Sequence, residues 1–353
     1  MIDTWSAADD KVCIIGSADT QFHCRSPDMA NGAIKATGSY VPDHAVHNEA
    51  LGQFPKAAQL LISQKTGVIS RHHAGQDQCT SDLALPAARL CLERSDLAPG
   101  KVEAIILSTS SPDRIQPATA ARLQYLLSAV NAFAFDINSV CSGSTYGIAL
   151  AQSLIRAGTC ANVLFVAAEV YSKILNPKDF ATYPYFGDGS GAILFTAQEE
   201  DKGVLGSILA TDGSGHNTIC IPGGGTMLPF NRMQDTKAAF FQMKGREVYD
   251  FAVAKGTEVI TRLLEKNEVA LESIKCFICH QANVNIIIKI AENLGVSEDK
   301  FYMNMFRYGN MASASVPIAL DEAINKQIIG PGDLIVTAAF GGGLSWGANL
   351  IRL

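Results

Sequence analysis

Short, continuous apolar runs alternate along this chain with longer stretches in which apolar positions recur every three or four residues. The first pattern predicts buried strands and the second helices that pack by one face. A strand starting at Ala33 closes on Gly38 and Pro42, Asn48 opens a helix reaching Leu60, and Thr66-Gly67-Val68 turns the chain. Ser81 caps a helix over 82–94, and the apolar run 102–108 ends in the polar string Ser108-Thr-Ser-Ser-Pro-Asp113. A strand ending at Ile137 passes into a helix with Tyr146, Ile148, Leu150, Leu154 and Ile155 on its apolar face. A buried strand at 162–168, a glycine-rich turn at 186–192 and a strand at 193–196 follow.

The alternation then repeats. The prediction is a strand at 204–211, a loop at 222–225, and a long helix at 245–264 that packs through Val248, Phe251, Ala252, Val259 and Leu263. A strand at 274–278 leads through His280-Gln-Ala-Asn283 into a helix ending at Leu294, and 308–317 leads a helix to Gln327. The final runs, 333–339 and 348–352, read as two buried strands of a hairpin around Gly341, Gly342 and Gly343. Strand, helix, strand in this order predicts an α/β sandwich with largely parallel strands. The repetition divides the chain into two similar halves, 29–198 and 199–353, back to back in one compact body, since no low-complexity linker separates them. Residues 1–28 lack sustained periodicity and are expected to be a loose extension, so that a chain started at Met29 folds and stays active.

Composition narrows the function classes. With 353 residues, 48% of them hydrophobic, the chain can bury a large core. A net charge of −6 without a dense Lys/Arg run lacks the footprint of a nucleic-acid binder. The longest apolar runs fall short of the ~20 residues a membrane-spanning helix needs. No basic segment followed by an apolar one marks a secretory signal at the start, and nine scattered cysteines suit a reducing cytosol better than a disulfide framework. A soluble, cytoplasmic protein is expected.

Candidate chemistry centres on Cys141, placed where a strand turns into a helix. Unpaired N–H groups and the positive end of the helix dipole at such a junction favour a thiolate over a thiol, as a sulfur nucleophile requires. A buried structural cysteine is the alternative. His280 and Asn310 each lie in a loop bordering an apolar element, where functional side chains are displayed. Together the three supply a nucleophile, an imidazole that can donate a proton and an amide donor: the minimum for attacking a thioester and stabilising an enolate. The triple glycine could add a backbone N–H to an oxyanion hole.

Three other features are set aside. The Phe186–Ala192 glycines contain no phosphate-loop pattern and enter a strand rather than a helix. Cys13, His23 and Cys24 have no paired spacing for a metal. Cys276-Phe-Ile-Cys279-His280 has the spacing of a c-type haem attachment, but its intervening residues are core-like, and residues along a strand point to opposite faces.

The motifs Asn138-Ser-Val-Cys141-Ser-Gly143, His280-Gln-Ala-Asn283, Tyr308-Gly-Asn310-Met-Ala-Ser-Ala-Ser-Val-Pro317 and Phe340-Gly-Gly-Gly-Leu-Ser-Trp-Gly347 resemble the β-ketoacyl-ACP synthase III family of the thiolase superfamily. Ala36-Thr-Gly-Ser-Tyr-Val-Pro42, Phe186-Gly-Asp-Gly189 and Met243-Lys-Gly-Arg-Glu-Val248 match in the same order, so the resemblance runs from about residue 33 to the end. It implies a homodimer with a thiolase-like five-layer α-β-α-β-α sandwich and no cofactor. It further implies acylation of Cys141 by a primer thioester, acyl-CoA or acyl-ACP, then decarboxylative Claisen condensation with malonyl-ACP. His280 and Asn310 would hold the malonyl thioester carbonyl, and the N–H groups of Cys141 and Gly343 the acyl carbonyl. An acyl carrier protein is the implied partner, with Arg232, Lys237, Lys244, Arg246 and Lys255 available to an acidic surface.

Departures from the family pattern are as informative. Where members usually place a tryptophan and three arginines around coenzyme A, this chain has Leu61, Lys65, Phe180 and Asn285, which weakens ring stacking and bidentate phosphate contacts. Asn283 borders the same substrate-binding side, and Gln116 stands where an aromatic residue often reaches into the partner's acyl pocket. These differences suggest a specialised member resembling the secondary-metabolite branch that includes alkylquinolone-forming synthases, with an unusual primer or a carrier-protein donor. The competing readings are acyl transfer from Cys141 to an alcohol or amine without decarboxylation, which needs no enolate stabiliser, a Cys-His-Asn thioesterase, and a non-catalytic subunit.

Overall fold

The computed structural model describes residues 30–198 and 201–353, so the predicted extension 1–28 and the boundary at 199 lie outside the described residues. The first half runs β1 (Asn31–Tyr40), β2 (Ala45–His47), α1 (Lys56–Thr66), β3 (Ser70–His72), α2 (Thr80–Ser95), β4 (Ala104–Ser108), α3 (Thr119–Leu127), β5 (Phe133–Ile137), α4 (Gly143–Arg156), β6 (Asn162–Glu169) and β7 (Gly189–Gln198). The second runs β8 (Gly203–Thr211), β9 (Ile219–Cys220), β10 (Gln242–Met243), α5 (Gly245–Lys266), β11 (Cys276–Cys279), α6 (Val284–Leu294), α7 (Met305–Tyr308), α8 (Ser315–Asn325), β12 (Leu334–Gly341) and β13 (Ser345–Arg352).

Two large sheets result, in the orders β1-β7-β6-β4-β5 and β8-β13-β12-β11, beside the two-stranded pairs β2-β3 and β9-β10. Strand for strand, β8 corresponds to β1, β13 to β7, β12 to β6 and β11 to β4, with the same senses of pairing. A parallel bridge from Phe277 to Phe301 flanks β11 where β5 flanks β4 in the first sheet. Helices α4 and α8 pack between the sheets, α2 and α3 cover the outer face of the first, and α5 and α6 that of the second. These are the five layers of the expected sandwich. The expectation of largely parallel strands fails: β1–β7, β6–β7, β12–β13 and β8–β13 are antiparallel. Covering helices bury both sheet faces whatever the strand sense, so apolar runs alone do not report direction.

Burial on both faces explains those runs. In β4, Ala104 and Ile106 point into the core between the sheets, whereas Ile105 and Leu107 point under α2 and α3. Cys276 and Cys279 of β11 likewise enter separate cores on opposite faces, which leaves no shared haem edge. The middle layer demands small residues where helix meets strand. A Cβ at Gly147 of α4 would lie 2.0 Å from the Phe165 ring, and one at Gly191 of β7 would lie 2.6 Å from Pro317 of α8. The glycines read as a turn at 186–192 therefore belong in large part to β7.

The helix expected over 48–60 is also displaced. Pro55 has no N–H to donate and restricts the residue before it, so a single 3-10 turn at Asn48–Ala50 gives way to a fresh start at Lys56. The Asn48 side chain instead donates to the Val68 carbonyl and accepts from Arg71. The helix predicted from Ser81 begins at Thr80, with the Asp82 carboxylate accepting from the Cys79 N–H at its first turn.

Candidate active site

Cys141 lies in a 3-10 turn, Val140–Ser142, that runs without a break into α4. Val140 takes φ = 48°, a left-handed conformation costly for a β-branched residue, and so turns the chain sharply just before the nucleophile. Ser142 ties this turn to the terminal hairpin: its hydroxyl donates to the Ser139 carbonyl and pairs with Ser345 Oγ at 2.7 Å. Gly341, the last residue of β12, closes the other side. A Cβ placed there would lie 2.7 Å from the Cys141 nitrogen and 2.9 Å from its Cβ.

His280 immediately follows β11, its backbone N–H donating to the Ala338 carbonyl at 2.8 Å. The ring lies edge-on to Phe340 at 5.9 Å between centroids. Its Nδ1 is buried with no hydrogen-bond partner among the described residues, so Nε2 is the ring nitrogen presented to the cavity that His280 lines. Burial lowers its pKa to about 3, and the imidazole is neutral at physiological pH. An unpaired buried N–H is costlier than an unpaired lone pair, which places the proton on Nε2, facing the cavity.

Asn310 follows α7 and bridges Phe186 in strand fashion, its N–H donating to Tyr185 and its carbonyl accepting from Gly187. The side-chain Oδ1 accepts from the Ala312 N–H at 2.8 Å. That bond orients the amide and leaves its NH2 for the cavity, which Asn310 also lines.

Cys141, His280 and Asn310 thus line one cavity of ≈ 740 Å³. Its inner wall is apolar, with Phe186, Ile219, Phe241 and Met243, and its outer part carries Lys65, Arg246, Asn283 and Asn285. Asn283 caps α6 by accepting from the Asn285 N–H, and the Asn285 amide donates to the Lys65 carbonyl, joining α1 to α6 beside the opening. Among the other predicted residues, Phe180 packs against Phe54 and Tyr185, and half-exposed Leu61 lies on α1; neither lines the cavity. Gln116 lies on the loop before α3, away from it. Gly343 is also outside the lining: at φ = 137° it turns the hairpin, and the glycine against Cys141 is Gly341.

The resting state of the sulfur differs from expectation. Burial raises the Cys141 pKa, and the neighbouring Glu169 carboxylate raises it further, so the free enzyme carries a thiol rather than a thiolate. Among the described residues, no group of three or more His, Cys, Asp or Glu side chains could hold a metal.

Sequence reasoning missed the aromatic wall and Glu169. Tyr171 stacks on Phe186 at 4.9 Å, and Phe241 meets both edge-on. Glu169, fully buried, ends a strand otherwise made of apolar residues and Asn162, and a charge at that place was the available signal.

Comparison with known proteins gives the family and the fold. The family described as 3-oxoacyl-[acyl-carrier-protein (ACP)] synthase III matches residues 135–213, and its C-terminal counterpart matches 264–353. The chain is 40% identical over 325 residues to the β-ketoacyl-[acyl-carrier-protein] synthase III of Clostridium perfringens strain SM101, covering 92% of this chain and 100% of that one. The crystal structure of 3-oxoacyl-[acyl-carrier-protein] synthase III from Aquifex aeolicus VF5 superposes with a TM-score of 0.84 at 35% identity, over 91% of this chain and 100% of the other. The priming β-ketosynthase of the R1128 polyketide pathway gives 0.86 at 25% identity, over 93% and 98%.

Proposed function

The chain belongs to the β-ketoacyl-ACP synthase III family, and from that premise we propose that it joins a primer acyl group to malonyl-ACP with loss of carbon dioxide. The observation that carries the reading is the convergence of one sulfur and two uncharged N–H donors in a single largely apolar cavity. In the first half-reaction the Cys141 sulfur attacks the primer thioester carbonyl, a new C–S bond forms, and the donor thiol departs with the proton. The backbone N–H of Cys141 and one from the triple-glycine segment, whose Gly341 abuts the Cys141 backbone, serve the oxyanion in this reading.

In the second half-reaction the malonyl carboxylate leaves as carbon dioxide, and its bonding electrons pass to the thioester enolate. Neutral His280 Nε2–H and the Asn310 amide donate to that enolate oxygen. The enolate carbon then attacks the acyl group on Cys141, releasing the sulfur and forming the β-ketoacyl product. Simple acyl transfer would give the oriented Asn310 amide nothing to do. A water-consuming thioesterase sits poorly with the apolar wall.

Further features support a homodimer acting on carrier-protein substrates. Strand β5 is an edge of its sheet and exposes Phe133, with exposed Ile115, Tyr125 and Val130 nearby in sequence, as a face covered by a second copy would. Gln116 belongs to that region. Lys65 and Arg246 at the opening suit an acidic carrier or a phosphopantetheine arm. The described cysteines are all free thiols, and no helix among the described residues is long and apolar enough to cross a membrane.

Intact-mass measurement after incubation with a panel of acyl-CoA and acyl-ACP thioesters tests the reading. The wild type should gain one acyl increment and Cys141→Ala none, whereas His280→Ala should acylate yet release no carbon dioxide from malonyl-ACP. Acylation of the Cys141→Ala variant, or condensation by His280→Ala at the wild-type rate, refutes it. Faster transfer from acetyl-CoA than from any acyl-ACP would remove the case for a specialised carrier-borne primer.

A further inference from the structure

Close to Cys141 but outside the cavity lining, a buried carboxylate collects an unusual number of donors. Glu169 accepts from Ser111 Oγ at 2.6 Å, Ser313 Oγ at 2.7 Å, the Ser110 N–H at 3.1 Å, Ser110 Oγ at 3.1 Å and Thr109 Oγ1 at 3.3 Å. These donors come from two places far apart in sequence. Thr109, Ser110 and Ser111 belong to the polar string that follows β4, and Ser313 belongs to the 3-10 turn Ala312–Ala314 that leads into α8. No step of the condensation uses Glu169 or the polar string directly.

The network reaches Asn310 by two routes. On one side, Ser313 lies in the same turn as Ala312, whose N–H orients the Asn310 amide. On the other, Ser110 Oγ pairs with Tyr171 Oη at 2.8 Å, Tyr171 stacks on Phe186, and Phe186 bridges Asn310. The Ala312–Ala314 turn also packs against the Cys141 turn. A carboxylate with several acceptor sites can grip both ends at once, as a neutral side chain with a single acceptor oxygen cannot.

We propose that Glu169 is a positioning residue that, through Ser313 and the Ser110–Tyr171–Phe186 contact, holds the Asn310 amide in register with Cys141 for the malonyl half-reaction. This rests on the condensing function proposed above. Acylation of Cys141 does not call on the Asn310 amide, so the two half-reactions respond differently to losing Glu169. Misplacement of a donor by about an ångström costs on the order of a hundredfold in rate, which sets the scale.

The test compares Glu169→Ala, Glu169→Gln and Ser313→Ala with wild type in two assays: acyl-enzyme formation by intact mass, and carbon dioxide release from malonyl-ACP as kcat and KM. Thermal melts of each variant verify the fold. Glu169→Ala should lose at least about tenfold in kcat for decarboxylation with acylation within about twofold of wild type. Ser313→Ala should shift the same way by about threefold to tenfold, as loss of one ordinary hydrogen bond does. Glu169→Gln, whose single amide oxygen can accept from Ser313 or from the Ser110–Ser111 side but not hold both, should recover only part of the kcat lost in Glu169→Ala. The proposal is overturned if folded variants lose both half-reactions in parallel, or if Ser313→Ala decarboxylates at the wild-type kcat. Should wild type itself show neither half-reaction, the functional reading fails instead.

Discussion

Replacing Gly341 by alanine should slow acylation of Cys141 by one to two orders of magnitude while leaving the fold intact. The new Cβ would lie 2.7 Å from the Cys141 nitrogen, 2.9 Å from its Cβ and 3.2 Å from its Cα. None of these atoms is the far end of a flexible side chain, so relief requires the backbone of the turn or of β12 to move. Neither moves freely. Gly341 is paired with Ser345 in the hairpin, and the Ser142–Ser345 bond ties the Cys141 turn to the same hairpin. Overpacking in such a place costs about 1–3 kcal/mol. If that cost falls on the reactive geometry of the sulfur, the acylation rate drops about 5- to 150-fold. The assay is a mass-resolved time course of acyl-enzyme formation at saturating acyl thioester. Gly213→Ala, where a Cβ would meet nothing within 4 Å, is the control. A Gly341→Ala variant that acylates at the wild-type rate, with an unchanged melting temperature, would show that this close approach does not position the nucleophile.

Two further predictions concern protons. Burial lowers the pKa of His280 to about 3 and, together with the nearby Arg71 guanidinium, that of His73 to about 4. Between about pH 6.5 and 4 the unfolded chain therefore binds protons at these rings that the folded one does not, and each contributes a loss of about 1.4 kcal/mol per pH unit as pH falls. Urea midpoints at pH 7 and pH 5 should show His280→Asn less acid-sensitive than wild type, and identical pH dependences would contradict the buried neutral imidazole. Because burial raises the Cys141 pKa, alkylation by iodoacetamide should accelerate about tenfold per pH unit from pH 7 to 9 without a plateau. A plateau below pH 7 would mean a resting thiolate.

The alternation of strand and helix, the two-fold repetition and the three chemical groups were all legible in the sequence, because buried runs, helical faces and loop-borne polar motifs are local patterns. Strand direction was not, since a strand covered on both faces reads the same either way. The helix expected at Asn48 gave way to one starting at Lys56 because Pro55 blocks continuity and Asn48 is claimed by Val68 and Arg71, which only the fold brings near. Which of the three equivalent glycines abuts the Cys141 backbone was not legible either, until the hairpin register put Gly341 there.

What the sequence determined by itself was the inventory: a cysteine at a strand-to-helix junction, an imidazole and an amide beside apolar elements, and periodicities able to bury two sheets around a middle layer of helices. Only the tertiary structure decided how these act together. It brought residues 141, 280 and 310 to one cavity, kept the imidazole neutral and the thiol protonated, and placed Glu169 close to Cys141. Desolvation and charge proximity depend on distances across the fold, and spacing along the chain carries no record of them.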